Sequence, residues 1–442
     1  MSNRLWDKGG AADAAMLRFT ARDDYVLDEA LLVHDVAASA AHVRGLMRIG
    51  ALEAGEADAV VAALDVLRGE IEKGAFRLTP EHEDGHTAIE LWLVERLGDL
   101  GKKVHLGRSR NDQVLVAMRS YERAELSVLA SLTTDCAKAC LDLAAAETWT
   151  VMPGYTHLQR AVPQTVGHWA AGFAEGFVES ARVLVDARRR VNASPLGAAA
   201  GYGVNLPLDR DGVAHDLGFD RVQLNPLWSQ TSRGMTEVVI LGAVWHAVAL
   251  ARRLAWDLSL FTTAEFGFVR LPVDLTTGSS IMPNKRNPDL VELVRASCAV
   301  VEGAIVELMS ITSLPSGYHR DLQLTKGPLM RAFAEAKGTI ATIARLVPRI
   351  ELVRDRMAAA VTKDTLATDR AVDLARSGMP FREAYKKVGA EIGSGEEAAG
   401  AAAEASVRAR SSLGAAGNLG LERIAKDLER VIEEVTRAPA SA

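Results

Sequence analysis

Between Thr277 and Asp289 the chain packs one glycine, two serines, two prolines, two cations and two asparagines into thirteen residues. That mixture suits neither helix nor strand and reads as a loop built for chemistry. A serine such as Ser279 becomes a base only when neighbouring donors stabilise its alkoxide, and Lys285 with the loop amides can supply that. Two further candidates for proton transfer are His157, which follows a Pro-Gly turn, and His86, which stands beside Asp84. Histidine titrates near neutrality and exchanges protons at modest cost. No Gly-x-Ser-x-Gly elbow surrounds Ser279, which argues against an acyl-transfer hydrolase.

Although the formal net charge is −6, the polar segments are locally cationic, with Arg108, Arg110, Arg160, Arg233, Lys285, Arg286, Arg320 and Lys326 in or beside them. Arginine forks and a point-charge lysine grip carboxylates or phosphates, so a small anionic substrate is expected. A glycine-rich phosphate loop is absent from the sequence. One competing motif is His82-Glu83-Asp84-Gly85-His86, which satisfies the zinc-protease spacing. It requires a helix that puts both imidazoles on one face, and Asp84-Gly85 is a poor helix interior. A non-catalytic scaffold is the other alternative; singly, Ser279 could be a loop hydroxyl, His157 a turn residue, and Arg108 and Arg110 a solvated pair.

The elements that must position these residues are helices. From Val114 to about Glu147 there is neither glycine nor proline, and Leu129, Leu132, Cys136, Cys140 and Leu143 recur at spacings of three and four. Similar stretches run from Gly167 to Val191, Met235 to Phe261, Asp289 to Ser313 and Lys326 to Val347, with Gly327-Pro328 and Pro348 punctuating the last. Five long helices predict a bundle, and the loops at their ends carry the polar residues. The expected fold class is mainly α, in three domains: a helical N-terminal domain over 1–107, a long-helix bundle over 108–350 that assembles with other subunits, and a small helical domain over 351–442. Breaks at Thr79-Pro80, Gly378-Met379-Pro380 and Gly393-Ser394-Gly395 mark the shorter pieces, and Ala438 to Ala442 reads as a frayed tail. Met235 to Leu250 is apolar almost all round, which predicts burial by another subunit.

Composition excludes several classes. The modest negative charge argues against nucleic acid or membrane as a partner. Cys136, Cys140 and Cys298 form no metal or redox pair, and the first two share one helical face as core residues. Met1 to Gly10 lacks the apolar core of a signal peptide, and the longest apolar run, Val238 to Leu250, is too short for a bilayer, so a soluble cytoplasmic protein is expected.

The loop Gly278-Ser279-Ser280-Ile281-Met282-Pro283-Asn284-Lys285-Arg286-Asn287-Pro288 resembles the signature of the fumarase/aspartase superfamily, which eliminates fumarate from succinyl-bearing substrates. Gly107 to Gln113, Met152 to Arg160, Ser194-Pro195-Leu196-Gly197 and Met379 to Ala384 resemble, in order, further segments of its argininosuccinate lyase family. The resemblance implies β-elimination of argininosuccinate to arginine and fumarate, without metal or organic cofactor, in a homotetramer whose sites combine loops from three subunits. It implies Ser279 as general base and His157 at the acid side with Glu292 as charge partner. Asn111, Thr156, Lys285 and Asn287 match contacts to the substrate carboxylates, Lys285 also serving catalysis. Tyr318, Gln323 and Lys326 match the region that holds the arginine half, while Asp84, His86, Arg110 and Arg233 match further site residues. The chain departs from the common pattern at Arg22-Asp23-Asp24, at Ser232-Arg233-Gly234, where an acidic pair flanks the arginine elsewhere, and at Leu324-Thr325. Those departures lie in segments that face the amine half, so adenylosuccinate, aspartate and malate stand as alternative sources of fumarate.

Overall fold

The structure, a computed structural model, describes residues 14–392 and 397–437. The expectations for Met1 to Gly10, the Gly393-Ser394-Gly395 break and the Ala438 to Ala442 tail fall outside those residues. After a short helix, Ala14–Ala21, come α1 (Leu32–Arg48), α2 (Ala54–Glu72) and α3 (Gly85–Leu97). Leu32, Val43 and Leu46 of α1 meet Val60, Leu64 and Leu67 of α2 and Ile89 and Leu93 of α3 in a core of their own. Thr79-Pro80 opens only a 3-10 turn, Pro80–His82, and α3 starts after Asp84, whose carboxylate accepts from the Thr87 amide at 2.8 Å.

The bundle is built from α4 (Arg110–Ala146), α5 (Val166–Val191), α6 (Met235–Phe261), α7 (Asp289–Ile311) and α8 (Lys326–Leu346). At about 1.5 Å per residue the 37 residues of α4 extend roughly 55 Å. This helix begins earlier than the Val114 expected, because Ser109 caps it: the Asp112 carboxylate accepts from the Ser109 amide at 2.9 Å and the Ser109 hydroxyl from the Asn111 amide. Gly327-Pro328 does not interrupt α8, since Pro328 sits in the first turn, where a missing N–H leaves no bond unmade. Leu126, Cys136 and Cys140 of α4, Phe177 and Leu184 of α5, Leu241 and Val248 of α6, Val301 and Leu308 of α7, and Phe333 and Ile340 of α8 pack into one continuous core.

Two antiparallel hairpins were not expected. Val151–Thr156 (β1) pairs with Gln159–Thr165 (β2) in the connection that was read as a loop, and Thr277–Gly278 (β3) pairs with Arg286–Asn287 (β4). Prolines at 153 and 163 hid the first of these, and both are tolerated because the ribbon has only two strands. Beyond the bundle, α9 (Ala367–Arg376) and α10 (Phe381–Glu391) pack through Ala371, Ala384 and Val388. The helix α11 (Ala401–Ala409) lies against the β1–β2 ribbon through Val151, Ala403 and Val407, and α12 (Leu421–Arg437) returns Leu428 and Val431 to the bundle core.

At 27 residues α6 is longer than its apolar run suggests, and among the described residues it is the one helix long and apolar enough to cross a membrane by length and composition. Half of its most apolar window is buried within the chain. Its Glu237 is buried too, against Arg119 at 3.3 Å. The large apolar side chains exposed on α6 and α7 are Met235, Val239, Trp245 and Trp256 of the first and Leu293, Val306 and Met309 of the second.

Candidate active site

The Ser279 loop is a hairpin tip. Pairing of Thr277 with Asn287 and of Gly278 with Arg286 closes its base, and residues 279–285 form the connection. Asn287 Nδ2 adds a bond to the Gly278 carbonyl at 3.3 Å, and the Thr277 hydroxyl donates to Asp289 at the start of α7. The Ser279 Oγ accepts from the amides of Ile281 and Met282 at 3.3 and 3.1 Å. Two backbone N–H groups aimed at one hydroxyl oxygen favour charge on that oxygen, which is the stabilisation a serine base needs. Lys285 is exposed on the same tip, and Glu292 is exposed one turn into α7.

His157 occupies the tip of the other hairpin. Thr156 pairs with Gln159, so His157-Leu158 is a two-residue connection, and both residues have positive φ, 56° and 59°. That is the backbone of a type I′ turn, which Asn and Gly adopt readily and His and Leu do not. Thr156 and His157 project into solvent.

A third group of predicted residues comes together where the N-terminal helices meet α4 and α8. Lys326 is 1% exposed, and its ammonium lies 2.7 Å from Asp28 Oδ1 and 2.8 Å from Asp24 Oδ1. Asp28 also accepts from the Gly85 amide at 3.0 Å, which places Asp84, the N-cap of α3. Arg110, on the first turn of α4, donates to the Thr87 hydroxyl and approaches Asp84 at 3.3 Å and Glu83 at 3.7 Å. His86 is buried, with Nδ1 bonded to Asp35. Gln323 donates to the Thr20 carbonyl at 2.8 Å, Tyr318 is half-buried nearby in sequence, and Asn111 is half-buried on α4.

The electrostatics follow from this crowding. Burial opposes the His86 imidazolium, but the Asp35 carboxylate outweighs it and raises the histidine above its ordinary range. Burial also works against an ionised Asp84, yet His86 and Arg110 hold that carboxyl low. For Lys326, desolvation is outweighed by Asp28 and then Asp24, so the ammonium is raised. Asp24 is displaced upward by burial despite Lys326, a direction at odds with its partner's. The 2.8 Å contact and the sealed ammonium favour the ion pair, with Asp28 as its principal member.

Arg233 is buried just before α6, and its charge offsets part of the rise that burial gives Asp24 and Glu122. The neighbouring glycine has a local reason: Gly234 has φ +83°, and a Cβ there would stand 2.3 Å from Thr312 Cγ2. Its amide donates to Glu237 at 2.6 Å, closing the cap of α6. The Ser194 to Gly197 segment is tied to α4 by Asp112, which accepts from the amides of Gly197 and Ala199 at 3.0 and 2.8 Å.

Within one chain the three groups are not bonded to one another: no hydrogen bond or ion pair among the described residues joins the Ser279 tip or the His157 tip to the Lys326 cluster, and none joins His157 to Glu292. The His-Glu-x-x-His pattern is broken in space: Glu83 has φ +67°, leaving His82 in a 3-10 turn and His86 on α3. Sequence reasoning passed over Asp24, Asp28 and Asp35 as partners of Lys326 and His86. Asp28 lies on the 3-10 turn Asp28–Ala30 ahead of α1 and Asp35 within α1, so no single helical face announced them.

Comparison with known proteins bears on this arrangement. A family model described as "Lyase" matches residues 7–303. The argininosuccinate lyase of Sorangium cellulosum is 60% identical over 97% of this chain and 99% of its own length. That of Stenotrophomonas maltophilia is 49% identical over 96% of this chain and 98% of its own. Among solved structures, an EDDS lyase variant with bound fumarate superposes with TM-score 0.78 at 22% identity, covering 97% of this chain and 94% of that one. The 3-carboxy-cis,cis-muconate lactonizing enzyme from Pseudomonas putida gives 0.67 at 18% identity, covering 96% and 97%, and shares the fold. With identity this high over almost the whole length, the chain belongs to the argininosuccinate lyase family.

Proposed function

We propose that this protein splits argininosuccinate into arginine and fumarate by β-elimination. The observation that carries the reading is the near-full-length identity to argininosuccinate lyases. Ser279, its oxygen already facing two amides, takes the proton from the carbon next to a substrate carboxylate. Lys285, Asn287, Asn111 and Thr156 hold the carboxylates, so that charge developing there meets fixed donors. His157, supported by Glu292, acts on the departing nitrogen. Tyr318 and Gln323 face the arginine half, and Asp84, His86, Arg110, Arg233 and Lys326 frame that side.

We further infer, from the family resemblance, a homotetramer in which each centre draws on three subunits; the placement of these groups on two hairpin tips and a separate buried cluster supports that reading. The open apolar side chains of α6 and α7 support such assembly. The test is direct: purified protein is incubated with argininosuccinate, adenylosuccinate, aspartate or malate while fumarate absorbance is followed. Fumarate from argininosuccinate alone is expected; release from another substrate, or from none, overturns the reading. For the shared site, inactive Ser279→Ala and His157→Asn subunits are mixed under dissociating conditions. Recovery of activity on reassembly is expected, and its absence in a reassembled tetramer counts against shared centres.

A further inference from the structure

Behind the Arg110 turn lies a small internal cavity of about 10 Å³, lined by Asp35, Ser39, His86, Glu90, Arg108 and Gln113 among others. Four of its lining side chains carry a solvent-sealed polar atom without a hydrogen-bond partner: His86 Nε2, Asp35 Oδ1, Arg108 Nε and Gln113 Oε1. Each leaves its desolvation unmet, and four around one void is more than a folded protein tolerates dry. The volume is that of about one water probe, and a resident water needs two to four polar partners.

The donors and acceptors match. Arg108 Nε–H can only donate, while Gln113 Oε1 and Asp35 Oδ1 can only accept. A water that accepts from Arg108 Nε–H and His86 Nε2–H and donates to Gln113 Oε1 satisfies three of the four, while Asp35, held on the Nδ1 edge of the same ring, faces away from it. His86 already gives its Nδ1 proton to Asp35, and Arg108 Nη1 donates to the Ser39 hydroxyl at 2.8 Å. The water would therefore link α1, α3 and the start of α4, two residues from Arg110.

We propose that this cavity holds one resident water, and that through it His86 is a positioning residue for the Arg110–Asn111 turn and makes no substrate contact of its own. The positioning half rests on the lyase reading; the water does not. A crystal structure of the full chain should show one ordered water within hydrogen-bond reach of His86 Nε2 and Arg108 Nε. An empty cavity, or closure by direct contact between those atoms, overturns the proposal.

For the positioning half, Gln113→Leu removes one acceptor and fills the void, while Gln113→Glu keeps an acceptor. A roughly tenfold rise in KM for argininosuccinate with kcat little changed is expected for Gln113→Leu, with recovery in Gln113→Glu. An unchanged KM in folded Gln113→Leu, or equal losses in both variants, overturns the positioning role. A wild-type protein that contains the water yet releases no fumarate would sink the lyase reading and leave the water standing.

Discussion

Lys326 Nζ sits 2.7 Å from Asp28 Oδ1 although the two residues are 298 apart in the chain, and both are sealed from solvent. The contact locks the segment before α1 onto the first turn of α8, and Asp28 extends the lock to Gly85 at the start of α3. Removing one partner leaves the other as an uncompensated buried charge. Asp28→Asn is expected to cost about 3–5 kcal/mol of unfolding free energy, measured by urea denaturation. A loss below about 1 kcal/mol would mean that Asp24 alone neutralises Lys326.

Substitution of Ser279 by alanine removes the oxygen on which the Ile281 and Met282 amides converge. Turnover should fall by about a thousandfold or more, since the variant lacks the proposed base. Substrate binding and assembly should persist, checked by calorimetry and sedimentation. Activity of more than a few per cent would remove Ser279 from the mechanism.

Arg119 bridges Glu122 at 2.7 Å and Glu237 at 3.3 Å, so one guanidinium serves two buried carboxyls. Burial lifts Glu122 to about 8, Arg119 opposing and Glu237 adding to the rise. A carboxyl raised on folding keeps its proton after the unfolded chain has lost it. Its contribution therefore declines as pH rises from the ordinary 4.5 to about 8. In Glu122→Gln the pH dependence of the urea midpoint across that window should flatten; an unaltered slope would assign it to other groups.

His42 carries the opposite linkage. Burial, then Arg108, depresses it to about 3, while its Nε2 stays bonded to the Leu106 carbonyl at 2.9 Å. The folded protein resists a proton that the unfolded chain binds below 6.5, so stability is lost as pH falls from about 6.5 towards 3. Stability curves for His42→Gln should lack that part of the acid loss, and a curve matching the wild type would exclude His42 as its source.

Leu158 has φ 59° in a turn that asks for glycine. Leu158→Gly should raise stability by about 1 kcal/mol, read from the denaturation midpoint. A decrease would show that the exposed leucine packs against another subunit.

Much of this architecture is legible in the order of residues. The spans of α5 and α6 follow from apolar spacing and the lack of an internal proline, whereas the cap by which Ser109 and Asp112 start α4 went unread. Legibility ends where partners are distant. His86 and Asp35 are 51 residues apart, and nothing local in Lys326 says that two aspartates from the N-terminal segment enclose it. The β1–β2 ribbon was obscured because Pro153, Gly154 and Pro163 are strand breakers that a two-stranded ribbon accommodates. The candidate residues could be named from their motifs, but their division between two hairpin tips and a buried cluster depends on tertiary packing.

The left-handed pair His157-Leu158 also sets the terms on which this protein can evolve. A mutant library screened for heat resistance would enrich asparagine and glycine at that turn, because those residues relieve the backbone, and would thereby discard the imidazole. Selection for growth that depends on the proposed activity would do the reverse and keep a histidine in a conformation it disfavours. Thermostabilisation of this scaffold should therefore hold residue 157 fixed and draw its gains from position 158 and the outer faces of the bundle.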